Sequence, residues 1–139
     1  MSKSGIFKII LLGCSALLFI YAIFRYLETP EDTHNVKTQV SLSSNELISL
    51  MSNKVDSSFY QYVDKAIEIE SVIKEINKKE GVYTLLLSGD DKDTLIICEM
   101  QKNQNVHIQK LTIGDPIVVK GVFKGFLKDA VLLNCIIMP

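Results

Sequence analysis

The sequence predicts a mainly β protein, in which an N-terminal transmembrane helix and a short amphipathic helix precede a five-stranded Greek-key barrel. Three observations predict this fold class. An apolar run occupies residues 9–27, apolar and polar residues alternate through much of residues 66–138, and turns rich in glycine and aspartate separate the alternating segments. An apolar run of this length suits a bilayer, whereas alternation with a period of two is typical of strands with one buried face.

The apolar run is predicted to be an uncleaved signal anchor. Residues 1–8 form a short basic cytoplasmic tail with Lys3 and Lys8, and residues 9–27 carry a single charge, Arg25, whose long side chain can reach the headgroups. Acidic residues follow the run, so the positive-inside rule predicts a cytoplasmic amino terminus. The C-terminal domain is then expected outside the cytoplasm, held at the cell membrane by a single pass.

A second interpretation of the same run is the signal of a bacterial lipoprotein. Leu11-Leu12-Gly13-Cys14 fits a lipobox, in which Cys14 would be lipidated and become the first residue. The chain stays apolar after Cys14, whereas a lipidated terminus normally continues into a polar tether, and this difference favours the uncleaved anchor. Both interpretations place the domain outside the cytoplasm.

Two segments are predicted between the membrane and the barrel. Residues 28–42 contain a proline, acidic and polar residues and no apolar period, which predicts a linker. Residues 43–62 are predicted to form a helical arm, because Ser43 and Glu46 fit a capping box and apolar residues then recur on one helical face. The arm contains Leu47, Leu50, Met51 and Val55 on that face, and Phe59, Tyr60 and Tyr62 at its end. These aromatic residues are predicted to pack on the barrel rather than to form a stacking platform for bases.

The barrel domain is predicted to occupy residues 63–139. Its strands are expected at residues 66–76, 82–88, 94–100, 116–124 and 130–138. Turns separate most of them, and a longer polar connection at residues 101–110, either a helical turn or a loop, lies between the third and fourth strands. Five short strands with this spacing are typical of the OB-fold, a Greek-key barrel in which the third strand pairs with the fifth.

Particular residues support the same fold. They are Tyr62-Val63-Asp64-Lys65, the alternating Ile67, Ile69, Ser71 and Ile73, the turn Gly114-Asp115, the run Val119, Gly121, Phe123 and Gly125, and finally Asp129, Leu132 and Cys135. Over residues 43–139 this pattern resembles the tRNA-anticodon-binding-like OB-fold family of bacterial membrane-anchored and lipoprotein-like proteins. The resemblance implies a fold but no functional residues. Ser71 replaces the glycine usual in the family's first strand, which argues against a sharp bulge there, and Phe123 replaces a frequent cysteine.

Charge and aromatic content argue against nucleic acid as the ligand. The chain has 15 Lys and Arg residues against 16 Asp and Glu residues, and its single arginine is Arg25. OB-folds that bind nucleic acid combine a basic groove with aromatic residues on their second and third strands. Those strands contain one aromatic residue, Tyr83, and the fourth strand supplies Lys120 and Lys124. These three residues form the candidate ligand face, although core packing of Tyr83 and a solvated strand face for the lysines are simpler interpretations.

Cysteine chemistry gives one further candidate site. Cys98 and Cys135 lie in predicted strands and form a possible disulfide, because the domain is expected outside the cytoplasm. Reduced core cysteines are the alternative. No metal or cofactor site is predicted, since the acidic loop around Asp91 lacks the ligand spacing of a calcium site and His107 has no second histidine in the domain.

No catalytic motif occurs in the sequence. The chain is therefore expected to be a non-enzymatic, membrane-anchored binding or adaptor module that engages an envelope protein or a small ligand outside the cytoplasm. Binding of single-stranded RNA or DNA through the OB-fold is the alternative function.

Overall fold

The computed structural model describes residues 3–27, 32–52, 57–89 and 93–139. The chain divides into two compact units, residues 1–30 and residues 31–139. The first unit contains one helix, α1 (Lys3–Leu27), and none of its side chains is buried. Within the described residues, α1 is the one helix with the length and apolar composition of a membrane span.

The described part of the second unit contains six strands and two short α-helices. The strands are β1 (Val40–Ser43), β2 (Ala66–Lys79), β3 (Val82–Ser88), β4 (Leu95–Met100), β5 (Pro116–Phe126) and β6 (Ala130–Ile137); the helices are α2 (Ser44–Ser52) and α3 (Asn105–Ile108). Three turns of 3-10 helix cover Thr33–Asn35, Ser57–Tyr62 and Lys102–Gln104. The five strands that the sequence predicts correspond to β2 through β6.

Strands β2 to β6 close into a barrel. The sheet order is β1-β2-β3-β4-β6-β5, and β5 pairs with β2 to complete the closure. β4 and β6 are parallel, so the third and fifth strands of the barrel pair as the OB-fold requires. β2 extends beyond residue 76, where the sequence predicts its end, because its two halves have different partners. Residues 66–72 pair with β5, and residues 72–79 pair with β3.

A bulge bends β2, but it lies after Ser71. The register with β3 shifts between Ile73 and Glu75, so Lys74 is the extra residue. Ser71 remains within the ladder, and its hydroxyl donates to the Ser88 carbonyl at 2.7 Å. The bulge therefore lies in the half of β2 that pairs with β3, and no glycine occupies it.

Aliphatic side chains and one aromatic ring fill the barrel. The fully buried strand residues include Ile67, Ile69, Ile73, Leu85, Leu87, Ile96, Val119, Phe123 and Leu132. α2 adds Leu47, Ile48 and Met51 to this cluster, and α3 adds Ile108. Of the arm aromatics, Phe59 and Tyr62 pack against the core, whereas Tyr60 is exposed and stacks on Phe59 with 4.2 Å between ring centroids.

The segment predicted as a linker is largely part of the barrel domain. Residues 28–31 lie outside the described residues, but residues 32–39 cross β5 and β6 and lead into β1. β1 pairs in parallel with the first half of β2, and the Gln39 N–H donates to the Ala66 carbonyl at 2.8 Å. Pattern analysis misses this docking because the segment is held by polar contacts, which leave no apolar period in the sequence.

Candidate ligand-binding face

Strand alternation places three aliphatic residues on the outside of the barrel. Each of them lies between two inward-facing core residues that are fully buried. These core residues are Leu85 and Leu87 in β3, Ile96 and Cys98 in β4, and Ala130 and Leu132 in β6. The residues between them, Leu86, Ile97 and Val131, therefore point to the outer face and are half-buried. We call these three residues the apolar strip.

The strip is continuous across three neighbouring strands. Leu86 is in register with Ile97, and Ile97 is in register with Val131. Adjacent strands lie about 4.8 Å apart, so the three side chains form a band roughly 10 Å wide. At one end the next strand contributes Glu75, and at the other it contributes Gly125, which has no side chain to cover Val131.

Two exposed carboxylates, Glu75 and Glu99, border the strip, and the outward positions of β3 and β4 carry no aromatic ring. The outward residues of β3 and β4 are Val82, Thr84, Leu86, Ser88, Leu95, Ile97 and Glu99. None of these described side chains is basic or aromatic. Glu99 lies opposite Thr84 and is exposed, and Glu75 on β2 is also exposed. A face of this kind favours apolar groups with positive charges beside them and repels phosphate.

The turn between β5 and β6 extends this face. Asp129 accepts a hydrogen bond from the Leu95 N–H at 2.9 Å, which fixes the turn at the start of β4. Leu127 in the same turn is 97% exposed. An exposed leucine on a turn anchored beside the strip adds a further apolar contact for a ligand.

The structure does not bring the sequence-predicted ligand face together. Tyr83 has the same orientation as inward-facing Leu85 and packs on the core, with the Lys78 ammonium 5.0 Å from its ring centroid. Lys120 is only 5% exposed and donates to the Val36 carbonyl. Lys124 is exposed but paired with a carboxylate at 2.7 Å. The sequence shows alternation but not which residues the rest of the chain covers.

Residues 32–39, which we call the strap, occupy the surface around Lys120. Thr38 donates to Glu68 at 2.6 Å, and Glu68 lies directly opposite Lys120 on the neighbouring strand. The strap therefore covers a cross-strand Glu–Lys pair, and Val36 accepts from the lysine. No motif in the sequence indicates this arrangement, because the partners are far apart along the chain.

The three cysteines lie in two different settings. Cys14 is exposed on α1, and Cys98 and Cys135 are free thiols in the barrel core. Burial raises the pKa of the Cys135 thiol well above its ordinary value of 9.0, and its hydrogen bond with Cys98 raises it further. The structure thus places the two candidate disulfide residues in the same core cluster, as free thiols on the neighbouring strands β4 and β6.

The sequence identified two features as poor metal sites. Asp91, in the acidic loop, lies outside the described residues. His107 is exposed on α3. Across residues 3–27, 32–52, 57–89 and 93–139, no group of three His, Cys, Asp or Glu side chains is arranged to hold a metal ion.

Comparison with solved structures identifies the same fold. A protein from Klebsiella pneumoniae subsp. pneumoniae MGH 78578, provisionally described as a nucleic acid-binding lipoprotein, matches with a TM-score of 0.63 and 14% identity over 80% of this chain and 100% of its own. An OBody bound to hen egg-white lysozyme matches with a TM-score of 0.45 and 9% identity over 56% of this chain and 85% of its own. A protein from Leishmania major Friedlin, provisionally described as an aspartyl-tRNA synthetase, matches with a TM-score of 0.49 and 12% identity over 80% of this chain and 22% of its own.

The family assignment agrees with the barrel topology. No functionally curated protein matches the sequence. The tRNA_anti-like family model matches residues 1–137, nearly the whole chain. At this identity the Klebsiella structure establishes the fold alone. The chain belongs to the tRNA_anti-like family of OB-fold domains.

Proposed function

We propose that this protein is a membrane-anchored, non-catalytic adaptor that binds a segment of another envelope protein on the outer face of its barrel. The apolar strip of Leu86, Ile97 and Val131 carries the proposal. Covering these side chains with a partner stabilises the complex by about 0.8 kcal/mol for each CH₂ group that is buried. The exposed carboxylates of Glu75 and Glu99 then select partners with lysine or arginine beside the apolar residues.

The location of this adaptor follows from α1. The helix exposes apolar side chains along its length, as a membrane span does, and Lys3 and Lys8 precede its most apolar part. The positive-inside rule then places the amino terminus in the cytoplasm and the barrel outside. Alkaline phosphatase fused after Pro139 is expected to be active, since that enzyme folds only outside the cytoplasm. If the phosphatase fusion is inactive and a GFP fusion at the same position is fluorescent, the barrel lies in the cytoplasm and the proposed orientation is wrong.

The binding face is tested by photo-crosslinking in the native membrane. A photo-reactive amino acid at Ile97 in the full-length protein is expected to yield a discrete crosslinked partner. The same group at Lys110, which is exposed in the connection between α3 and β5, serves as the control. If Lys110 captures the same proteins, or if Ile97 captures none, the proposed face is wrong.

A charge substitution tests the chemistry of the same face. Ile97→Lys places an ammonium in the middle of the strip, and this ammonium must be desolvated when a partner binds. With the photo-reactive group moved to Leu86, we expect this variant to capture at least tenfold less of the partner. Lys110→Glu is the matched surface change. Unchanged capture by Ile97→Lys would contradict the proposal.

Nucleic-acid binding is the second candidate function. It is favoured by the family name and by the description of the Klebsiella structure as a nucleic acid-binding lipoprotein. The acidic and non-aromatic outer face favours a protein partner instead. We expect no binding of labelled single-stranded oligonucleotides at 50 mM salt. Measurable binding that weakens steeply at 200 mM salt would show that nucleic acid is the ligand, since phosphate contacts release counterions.

Lipidation of Cys14 remains the alternative mode of anchoring. We propose that α1 is retained uncleaved, because Cys14 lies in the middle of a continuous helix. Cys14→Ser is therefore expected to leave the protein in the membrane fraction at its original mass. Release of the variant, or incorporation of a clickable fatty acid by the native protein but not by the variant, would establish lipidation instead.

A further inference from the structure

We propose that the connection between β4 and β5 rests on the membrane and binds anionic lipid headgroups through Lys102 and Lys110. This contact is additional to the adaptor function, which uses the apolar strip on other segments of the barrel. It rests on the membrane anchor of the proposed function, because α1 keeps the barrel beside the bilayer. The exposed side chains of the connection, its charge and the short segment between α1 and the strap support it.

The exposed side chains of the connection form a ridge. Ile108 is fully buried and fixes α3 on the core. Val106 and Lys110 lie two residues before and after it, so they point to the opposite side of the helical turn, which the bond from the Lys110 N–H to the His107 carbonyl prolongs. Lys102, four residues before Val106, is exposed on the same side. We call Lys102, Val106 and Lys110 the basic ridge.

The composition of the basic ridge suits the surface of a bilayer. Val106 is 65% exposed, so its side chain can enter the interface between two lysines, whose long side chains reach the lipid phosphates. Residues 101–114 contain no aspartate or glutamate, and Ile113 near the end of this segment is 62% exposed. The connection therefore combines exposed aliphatic groups with positive charge, whereas carboxylates border the apolar strip.

The turn between β2 and β3 brings further lysines to the connection. The side-chain amide of Asn105 donates to the Gly81 carbonyl at 3.3 Å, which places this turn beside α3. The turn and the end of β2 contribute Lys78, Lys79 and Glu80, all of which are exposed. A lipid phosphate at this side of the barrel therefore meets lysines from two segments.

The chain leaves the membrane close to the start of the connection. From Leu27, the last residue of the apolar run, to Asp32 in the strap, the chain reaches at most about 17 Å. The next residue, Thr33, is buried, and its hydroxyl oxygen lies 3.2 Å from the side-chain amide of Gln101, where the connection begins. The length of the chain thus keeps this part of the barrel near the headgroups.

Fluorescence quenching in reconstituted membranes tests the contact. A fluorescent amino acid replaces Val106 in the full-length protein, and the vesicles contain phosphatidylcholine, phosphatidylglycerol and a lipid brominated near its headgroup. Leu127 is the control site, because it is exposed in the turn before β6, whereas the connection contacts the other end of β6 through Gln104 and Ile137. We expect strong quenching at Val106 and little at Leu127. Equal quenching at the two sites would overturn the proposal.

Charge reversal tests the lysines of the basic ridge. Each lysine near an anionic surface changes the docked population about fivefold, so we expect Lys102→Glu combined with Lys110→Glu to reduce quenching at Val106 to the level at Leu127. The matched control combines Lys65→Glu with Lys128→Glu, which changes two exposed lysines outside the connection and is expected to retain the quenching. Full quenching in the ridge variant, or its loss in both variants, would contradict the proposal.

A change of lipid and salt gives a test that requires no charge variant. In vesicles without phosphatidylglycerol, we expect the probe at Val106 to lose most of its quenching. High salt is expected to have the same effect in vesicles that contain phosphatidylglycerol, because salt screens exposed charges. Quenching that responds to neither change would show that anionic headgroups are not the ligand of the basic ridge.

The two proposals fail in different ways. If alkaline carbonate extracts the full-length protein from the vesicles, the membrane anchor of the proposed function is wrong. If the protein stays in the vesicles and the probe at Val106 is not quenched, only the contact of the basic ridge with lipid is wrong. Loss of the partner captured at Ile97 leaves the quenching at Val106 unchanged, because the apolar strip and the basic ridge belong to different segments.

Discussion

Thr33 is a polar residue that the fold buries completely, and its hydroxyl is therefore part of the structure. It donates to the Asn134 carbonyl at 2.6 Å, and the side-chain amide of Gln101 lies 3.2 Å from the Thr33 hydroxyl oxygen. Thr33→Val keeps the side-chain shape but leaves these polar groups without a partner, so we expect a loss of about 1–3 kcal/mol in the free energy of unfolding. Urea unfolding under reducing conditions measures the loss.

Thr112→Val is the matched control for this substitution. Thr112 is exposed, and its described hydrogen bonds use the backbone N–H and carbonyl rather than the hydroxyl. We expect its free energy of unfolding to change by less than about 0.5 kcal/mol. If both variants lose the same stability, the contact between Thr33 and Asn134 has no special role.

Gly121 is constrained by a neighbouring side chain and not by its backbone conformation. An added Cβ would lie 2.5 Å from Cys135 Sγ and 3.2 Å from Leu132 Cβ. We expect Gly121→Ala to lower the free energy of unfolding by about 1–3 kcal/mol through overpacking. Combining it with Cys135→Ala under reducing conditions is expected to cost less than the sum of the single variants, because the sulfur is no longer in the way. Additive losses would contradict this packing.

At the scale of elements, α2 begins with a capping box, as the sequence predicts. Glu46 accepts from the Ser43 N–H at 2.7 Å, and the Glu46 N–H donates to the Ser43 hydroxyl at 3.2 Å. The hydrogen bond from the Ser43 backbone, followed by that from its hydroxyl, lowers the pKa of the Glu46 carboxyl below its ordinary value of 4.5. A local pattern of sequence positions is sufficient here because both partners belong to the same turn.

The lowered pKa predicts a pH dependence of stability. The ionised Glu46 stabilises the folded state above the unfolded pKa near 4.5, and this contribution is lost as the pH falls through the lower folded pKa. We therefore expect Glu46→Gln to reduce stability at pH 7 and to have little effect at pH 3. Ser43→Ala, which keeps the backbone N–H, is expected to show part of this change. Thermal unfolding from pH 3 to pH 7 measures it, and a constant difference between native protein and Glu46→Gln would disprove it.

The strap, unlike the capping box of α2, could not be predicted from a local sequence pattern. Its contacts join Val36 to Lys120 and Thr38 to Glu68, residues that are distant in sequence. Each bond adds only modest net stability, but together with β1 they convert a predicted linker into a part of the domain. Long-range polar contacts of this kind produce no periodic pattern, which explains why the sequence does not indicate that this segment docks on the barrel.

At the scale of the whole molecule, the strap and β1 are expected to be needed for a stable barrel. A chain of residues 32–139 includes both, whereas a chain of residues 44–139 lacks the β1–β2 pairing and the contacts of Thr33, Val36 and Thr38. We expect the shorter chain to be less stable by about 3 kcal/mol or more, at roughly 1 kcal/mol for each lost bond. Urea unfolding of both chains measures the difference. Equal stability of the two chains would show that residues 32–43 act only as a linker.

The sequence by itself determined the class of the molecule. An apolar run identified α1, period-two alternation identified the five barrel strands, and the long connection after the third strand predicted the pairing of the third and fifth barrel strands, β4 and β6. These features can be predicted because each strand repeats the same alternation of apolar and polar residues along its length. Small errors in the predicted ends of the strands therefore do not change the topology. The family resemblance rests on the same residues.

Only the tertiary structure decided which side chains face solvent. Alternation grouped Lys120 with Lys124, but the strap covers the first and leaves the second exposed. The single extra residue near Asn134 buries both Leu132 and Cys135, although their spacing in an unbroken strand would turn them to opposite faces. Burial depends on contacts between distant parts of the chain, and a one-residue bulge reverses every side chain after it, so neither can be read from local pattern.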